Sequence, residues 1–210
     1  MLSQHWFDRL ERRLHFLAIP GLASFLVGMN AIVWIMTLLR PEFPARLILY
    51  PDAVWAGQAW RVLTFVFVPP PMAPLWMVFW LMLLYTYASA LEQEWGDFRF
   101  NLFYGAGVAA TVAAALASGW PLSNLTLNAS LFLAFAALYP DFEIMLFFVL
   151  PVKVRWLAFF AAVGLAWSIL TGGAAARWEV LSGTVNYLFF FGGDHAFALR
   201  QRWRRRSFGR

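Results

Sequence analysis

Charged residues are absent from long stretches of this 210-residue chain, and those stretches have membrane length. No Asp, Glu, Lys or Arg falls between Arg13 and Arg40 (26 residues), Arg61 and Glu92 (30), Arg99 and Asp141 (41), Arg155 and Arg177 (21) or Glu179 and Asp194 (14). A helix needs roughly 20 apolar residues to cross a hydrocarbon core of about 30 Å. Ser118-Gly119-Trp120-Pro121-Leu122-Ser123-Asn124 punctuates the longest stretch, which therefore holds two crossings. The pattern predicts six spanning helices, at about Ile19–Leu39, Leu75–Leu91, Phe100–Ala117, Leu125–Tyr139, Trp156–Thr171 and Trp178–Phe191, the last of them short.

The segments between them are equally patterned. Residues 1–16 mix Arg9, Arg12 and Arg13 with Trp6, Phe7, Leu10 and Leu14, as an amphipathic helix lying in a membrane interface would. A long connection after the first helix ends in Pro69-Pro70-Pro71. An acidic turn, Glu92-Gln93-Glu94-Trp95-Gly96-Asp97, separates the second and third helices. Pro140 ends the fourth, because proline cannot donate to a helix ladder. Residues 142–155 read as a re-entrant or interfacial connection, broken by Pro151. The expected organisation is an amphipathic segment over 1–16, a six-helix membrane domain over 17–193 and a basic tail over 194–210. Gly105-Ala106-Gly107 and the alanines that follow would let helix backbones approach closely.

Composition agrees. The chain is 62% hydrophobic and 13% charged, where soluble domains carry about 25% charged residues. Five apolar runs in so small a chain leave too little polar sequence to cover them, which excludes a soluble domain. The first run lacks a small-x-small cleavage site and reads as a retained helix rather than a signal peptide. There is no cysteine, so no disulfide, thiolate metal site or cysteine nucleophile is available. The net charge of +5 sits at the ends of spans, which points to a lipid bilayer and not to nucleic acid. Nothing calls for a cofactor or a metal.

Lys and Arg placement gives an orientation. With six spans, one side carries Arg9, Arg12, Arg13, Arg99, Lys153, Arg155 and the six arginines after Asp194. The other carries Arg40, Arg46, Arg61 and Arg177. Both termini are therefore expected in the cytoplasm, with the inner (plasma) membrane of a bacterium as the expected location.

Several short motifs occupy this frame in a fixed order. The first connection contains Gly57-Gln58-Ala59-Trp60-Arg61. The second helix ends in Glu92-x-x-Trp95-Gly96. Asn128-Ala129-Ser130 opens the fourth helix, and Pro151-Val152-Lys153 follows it. Over about residues 50–190 this arrangement resembles the rhomboid superfamily. That resemblance implies an all-α, six-helix rhomboid-like bundle with a long first loop. Active rhomboids are intramembrane serine proteases. The resemblance implies a nucleophilic serine opening helix four, a histidine base on helix six, and a His and an Asn on helix two that help hold the oxyanion.

Carried over position by position, the match is incomplete. Ser130 falls at the nucleophile. The flanking glycines are replaced by Asn128 and Leu131, and the helix-two His and Asn by Trp76 and Trp80. Helix six offers Asn186 and Tyr187 but no histidine. A serine hydroxyl needs an adjacent base to become a nucleophile. Asn is not one, and Tyr with a pKa near 10 is a poor one. The chain's histidines are His5 and His15 near its start and His195 beyond helix six, which places His195 too far from Ser130 to serve. The expectation is a pseudoprotease that binds transmembrane segments of client proteins and affects their folding, trafficking or turnover. Asn128, Ser130 and Asn186 are expected to staple helices four and six through an Asn–Asn or Ser–Asn bond, with a polar binding cavity as the alternative. Trp60 fits an interfacial belt, and Arg61 and Glu92 read as boundary charges or anchors of the first loop. The rival reading is an active intramembrane protease using Ser130 with an unidentified base. A transporter or channel is disfavoured, because no acidic or basic residue lies in mid-span.

Overall fold

The computed structural model describes residues 18–146 and 150–207. Apolar sequence in lipid must close its backbone hydrogen bonds within each segment, and helices do so. We number the helices of fourteen or more residues α1 (Leu22–Leu39), α2 (Pro74–Trp95), α3 (Asp97–Ser118), α4 (Leu125–Leu138), α5 (Val154–Thr171) and α6 (Ala174–Ser207). Four of these, α1, α2, α3 and α5, are long and apolar enough to cross a membrane. Helix α4 is apolar but shorter, with 14 residues, or about 21 Å at 1.5 Å per residue. Helix α6 begins before the predicted Trp178 and continues past Asp194, so no break in the helix marks the expected tail boundary.

The acidic turn is tighter than expected. Helix α2 runs on through Trp95, and Gly96 alone, at φ 77°, turns the chain into α3. Only glycine adopts that backbone without a Cβ penalty. The connection over 142–155 also differs from expectation, and the fold is not purely helical. Glu143–Leu146 (β1) and Leu150–Lys153 (β2) form an antiparallel hairpin, with Glu143 opposite Lys153 and Met145 opposite Pro151. A two-stranded ribbon consists only of edges, where the missing N–H of Pro151 is tolerated. Asp141 pairs with Lys153 (3.1 Å) and Arg155 (3.3 Å) at its base.

The core lies around α4, which packs against α2, α3, α5 and α6. Thr126, Leu127, Asn128, Ser130, Leu131, Ala134, Phe135 and Ala136 are all buried. Helix α5 is the opposite case: only Val154 is buried, while Phe159, Phe160, Trp167 and Leu170 are exposed. A surface of that kind is what lipid covers.

The expected close approach of small residues occurs at two glycines. A Cβ on Gly107 of α3 would run into Leu127 Cδ1 and meet Asn186 Nδ2 at 2.8 Å. A Cβ on Gly183 of α6 would run into the Thr126 hydroxyl and meet the Leu127 backbone nitrogen at 2.9 Å. Helix α6 is thus held against α3 and α4 at backbone distance.

The first connection is an ordered cap rather than a loose loop. Arg61 is buried; its Nε donates to Gln58 Oε1 (2.8 Å) and its Nη1 to the carbonyls of Ala45 (2.9 Å) and Ile48 (2.7 Å). Its guanidinium lies over the Tyr50 ring, 5.6 Å from the centroid. Trp60 Nε1 donates to the Arg46 carbonyl (3.2 Å). Gly57, at φ 98°, supplies the turn before this pair. The Val66 carbonyl then accepts from Asn124 (2.7 Å) and Asn30 (3.4 Å), joining the connection to α4 and α1. Arg61→Ala removes three charge-assisted bonds and leaves two carbonyls without that donor. We expect a loss of about 2–4 kcal/mol, read as detergent-solubilised protein whose residues 40–70 become protease-sensitive while helical circular dichroism persists.

Candidate functional site

Two of the polar residues expected at membrane depth, Ser130 and Asn186, meet where α3, α4 and α6 cross. Ser130 is fully buried, and so is Asn186. Asn186 Nδ2 donates to Ser130 Oγ at 3.0 Å and to the Phe103 carbonyl at 3.3 Å. Ser130 Oγ in turn donates to the Leu127 carbonyl at 2.7 Å. Asn186 Oδ1 accepts from the Tyr187 backbone N–H at 2.9 Å. The Ser–Asn staple is therefore present, and it ties α3 in as well. Asn128 takes no part in it. That side chain lies in the core, and its Nδ2 lacks a hydrogen-bond partner among the described residues.

This geometry has a chemical consequence. The Ser130 proton is committed to a backbone carbonyl, and the oxygen accepts from an amide. Neither partner can take a proton at neutral pH, and no other group bonds Ser130 among the described residues. General-base activation needs a titratable group in hydrogen-bond reach. His5 and His15 fall outside the described residues, as does the side chain of His195. The backbone of His195 follows Asn186 by nine positions on α6, about 14 Å along the helix axis.

Neither tryptophan at the expected oxyanion positions bonds Ser130 among the described residues. Trp76 is half exposed and sits edge-on to Phe79 at 6.4 Å. Trp80 lines a cavity of about 490 Å³ together with Leu83 and Tyr87 of α2, Asn128 and Phe132 of α4, and Leu157 of α5. Ile144 of β1, Ser168 of α5 and Glu179 of α6 also line it. Tyr187 is half-buried and stacks on Phe191 at 5.1 Å.

The remaining motif residues are structural. Glu92 Oε1 accepts from the backbone N–H of Ala23 at 3.3 Å. It sits at the start of α1, where Gly21 supplies no side-chain cap, so the carboxylate meets the positive end of that helix. Trp95 packs against Phe103 of α3 (5.2 Å) and against Phe190 and Phe191 of α6 (both 5.9 Å). Lys153 closes the hairpin, with Pro151 inside β2.

Glu179 is the residue that the sequence pattern does not single out. Its Oε1 accepts from the Ser123 hydroxyl, and its backbone carbonyl accepts from Thr126 Oγ1 at 2.8 Å. It lines the cavity with Trp80 and Asn128 and also a second one, of about 510 Å³, walled by Tyr50, Pro69–Pro71 and Asn124.

Two outcomes follow from this geometry. In a double-mutant cycle, Ser130→Ala and Asn186→Ala should show a coupling of about 1 kcal/mol in reversible unfolding, the range of interhelical polar pairs. At the hairpin, the hydrogen bond from Lys153 and the charges of Lys153 and Arg155 hold the Asp141 carboxyl below the usual carboxylate range. A depressed carboxylate stabilises the fold above its unfolded pKa, and that contribution disappears as pH falls through the lower folded value. An NMR titration of Asp141 should report this depression, and Lys153→Ala should move the midpoint back up. No family model matches the chain, and no curated protein matches it.

Proposed function

We propose that this chain is a catalytically inactive rhomboid-like membrane protein. It would cross the membrane six times with both termini in the cytoplasm, in the inner membrane of a bacterium. Its role would be to bind transmembrane segments of client proteins and so affect their folding, trafficking or turnover. The observation that carries the inactive part is the bonding of Ser130: its hydroxyl is spent on Leu127 and Asn186, and neither is a base. The client-binding part is supported by the exposed apolar surfaces of α2 and α5, which include Val78, Met82 and Phe160. The lipid bilayer is the surrounding partner on this reading.

A fluorophosphonate probe should leave the wild type and Ser130→Ala equally unlabelled. Labelling of the wild type alone would establish the rival, an intramembrane serine protease with a base elsewhere. Photocrosslinkers at Val78 and Phe160, on the exposed surfaces of α2 and α5, should capture the hydrophobic helices of co-expressed membrane proteins; recovery of lipid adducts alone at these positions would count against client binding.

A further inference from the structure

We propose that the cavity between α2, α4 and α5 is a binding site for one phospholipid with a primary-amine headgroup, phosphatidylethanolamine, held through Glu179. Three observations on separate residues point there.

The first is an uncompensated charge. Glu179 has no cation in ion-pair distance among the described residues and accepts one side-chain hydrogen bond, from Ser123. Arg177, two positions earlier, is turned to the Ile169 carbonyl (3.1 Å). A carboxylate at the mouth of an apolar groove focuses its field into low-dielectric surroundings and attracts a cation. The second is an uncompensated donor. Asn128 lines the same cavity, is 6% exposed, and its Nδ2 finds no acceptor among the described residues. A buried amide without a partner costs about 1–3 kcal/mol, and a turn of the Asn128 amide toward the cavity would let a ligand acceptor relieve it. The third is size. A cavity of about 490 Å³ lies in the range of small-ligand sites, about 300–1,000 Å³. Ten residues of helix, about 15 Å long and 10 Å across, fill on the order of 1,000 Å³. The groove admits a chain, not a whole helix.

The polar groups also come in the order such a lipid needs. Thr126 bonds the Glu179 carbonyl, so the carboxylate stands level with the start of α4. Asn128 is two residues further in, about 3 Å deeper at the helical rise. Beyond it the wall is Phe132, Leu157 and Ile144. Ammonium on Glu179, ester carbonyl toward Asn128 and acyl chain along the apolar wall follow that sequence. Phosphatidylglycerol offers Glu179 no cation, and phosphatidylcholine offers a cation without N–H donors. This site does not depend on whether clients bind or whether Ser130 is inert.

The test uses the full chain in nanodiscs doped with phosphatidylethanolamine, phosphatidylcholine or phosphatidylglycerol carrying a photoreactive acyl chain. Adducts on the 80–87 and 125–132 segments should be about three- to fivefold more abundant with the ethanolamine lipid. Glu179→Gln, which keeps an acceptor for Ser123, should abolish that preference. Ala129→Phe, which fills the cavity, should remove groove adducts of all three lipids while monodispersity is kept. Equal labelling by the three headgroups overturns the proposal, as does a preference that survives Glu179→Gln. Crosslinks from the groove to an added peptide helix, without lipid adducts there, overturn it too.

Discussion

Asn186 reaches Ser130 and Phe103 only because α6 lies at backbone distance from α3 and α4. Gly107 and Gly183 set that distance, since a methyl group on either would collide with Leu127 or Thr126. Within lipid there is no hydrophobic force between helices, so close packing and polar bonds carry association. The two are coupled here. Close approach places the amide within 3.0 Å of the hydroxyl, and the bond then disfavours any sliding that would bury both groups unpaired. Helix α4, the most enclosed of the long helices, is fixed by this contact, and α2 and α5 arrange themselves around it.

A second set of constraints sits at the boundaries, where backbone carbonyls and helix ends need partners. Arg61 serves the carbonyls of Ala45 and Ile48, Asn124 that of Val66, and Glu92 the opening N–H groups of α1. Asn101 adds a bond to the Ile19 carbonyl (2.9 Å). Each is a long-range bond made by a polar side chain at the end of an apolar run. The connection after α1 is therefore ordered although it contains no helix longer than Pro51–Trp55. Leu49 and Leu122 bridge it to the turn before α4.

The helix positions were legible because charge is excluded from lipid by several kcal/mol per residue, which leaves gaps that any reading of the chain detects. Trp156–Thr171 was read within two residues of α5, and Phe100–Ala117 within three of α3. The hairpin was not legible. Ile144 to Val152 is uniformly apolar, so it lacks the alternation that marks a strand with one wet face. Arg61 was read as a boundary charge or an anchor; its burial depends on carbonyls thirteen and sixteen positions earlier, which no local pattern reveals. Glu179 was invisible for the same reason. Beside Arg177 it reads as one of an ordinary pair of boundary charges, and only folding brings it to Ser123 and leaves it without that cation.

Ser130 and Asn186 carry a further lesson about reading polar residues inside a membrane. A serine in a core invites a catalytic interpretation, but its hydroxyl has one proton to give. Where that proton goes decides the chemistry. Donation to Leu127 uses it within the serine's own helix, and the Asn186 amide, which is not a base, fills a lone pair of the oxygen. The pair has a structural reason to stay together: losing either member would take one hydrogen bond from the other at a fully buried site, a cost comparable to the bond itself.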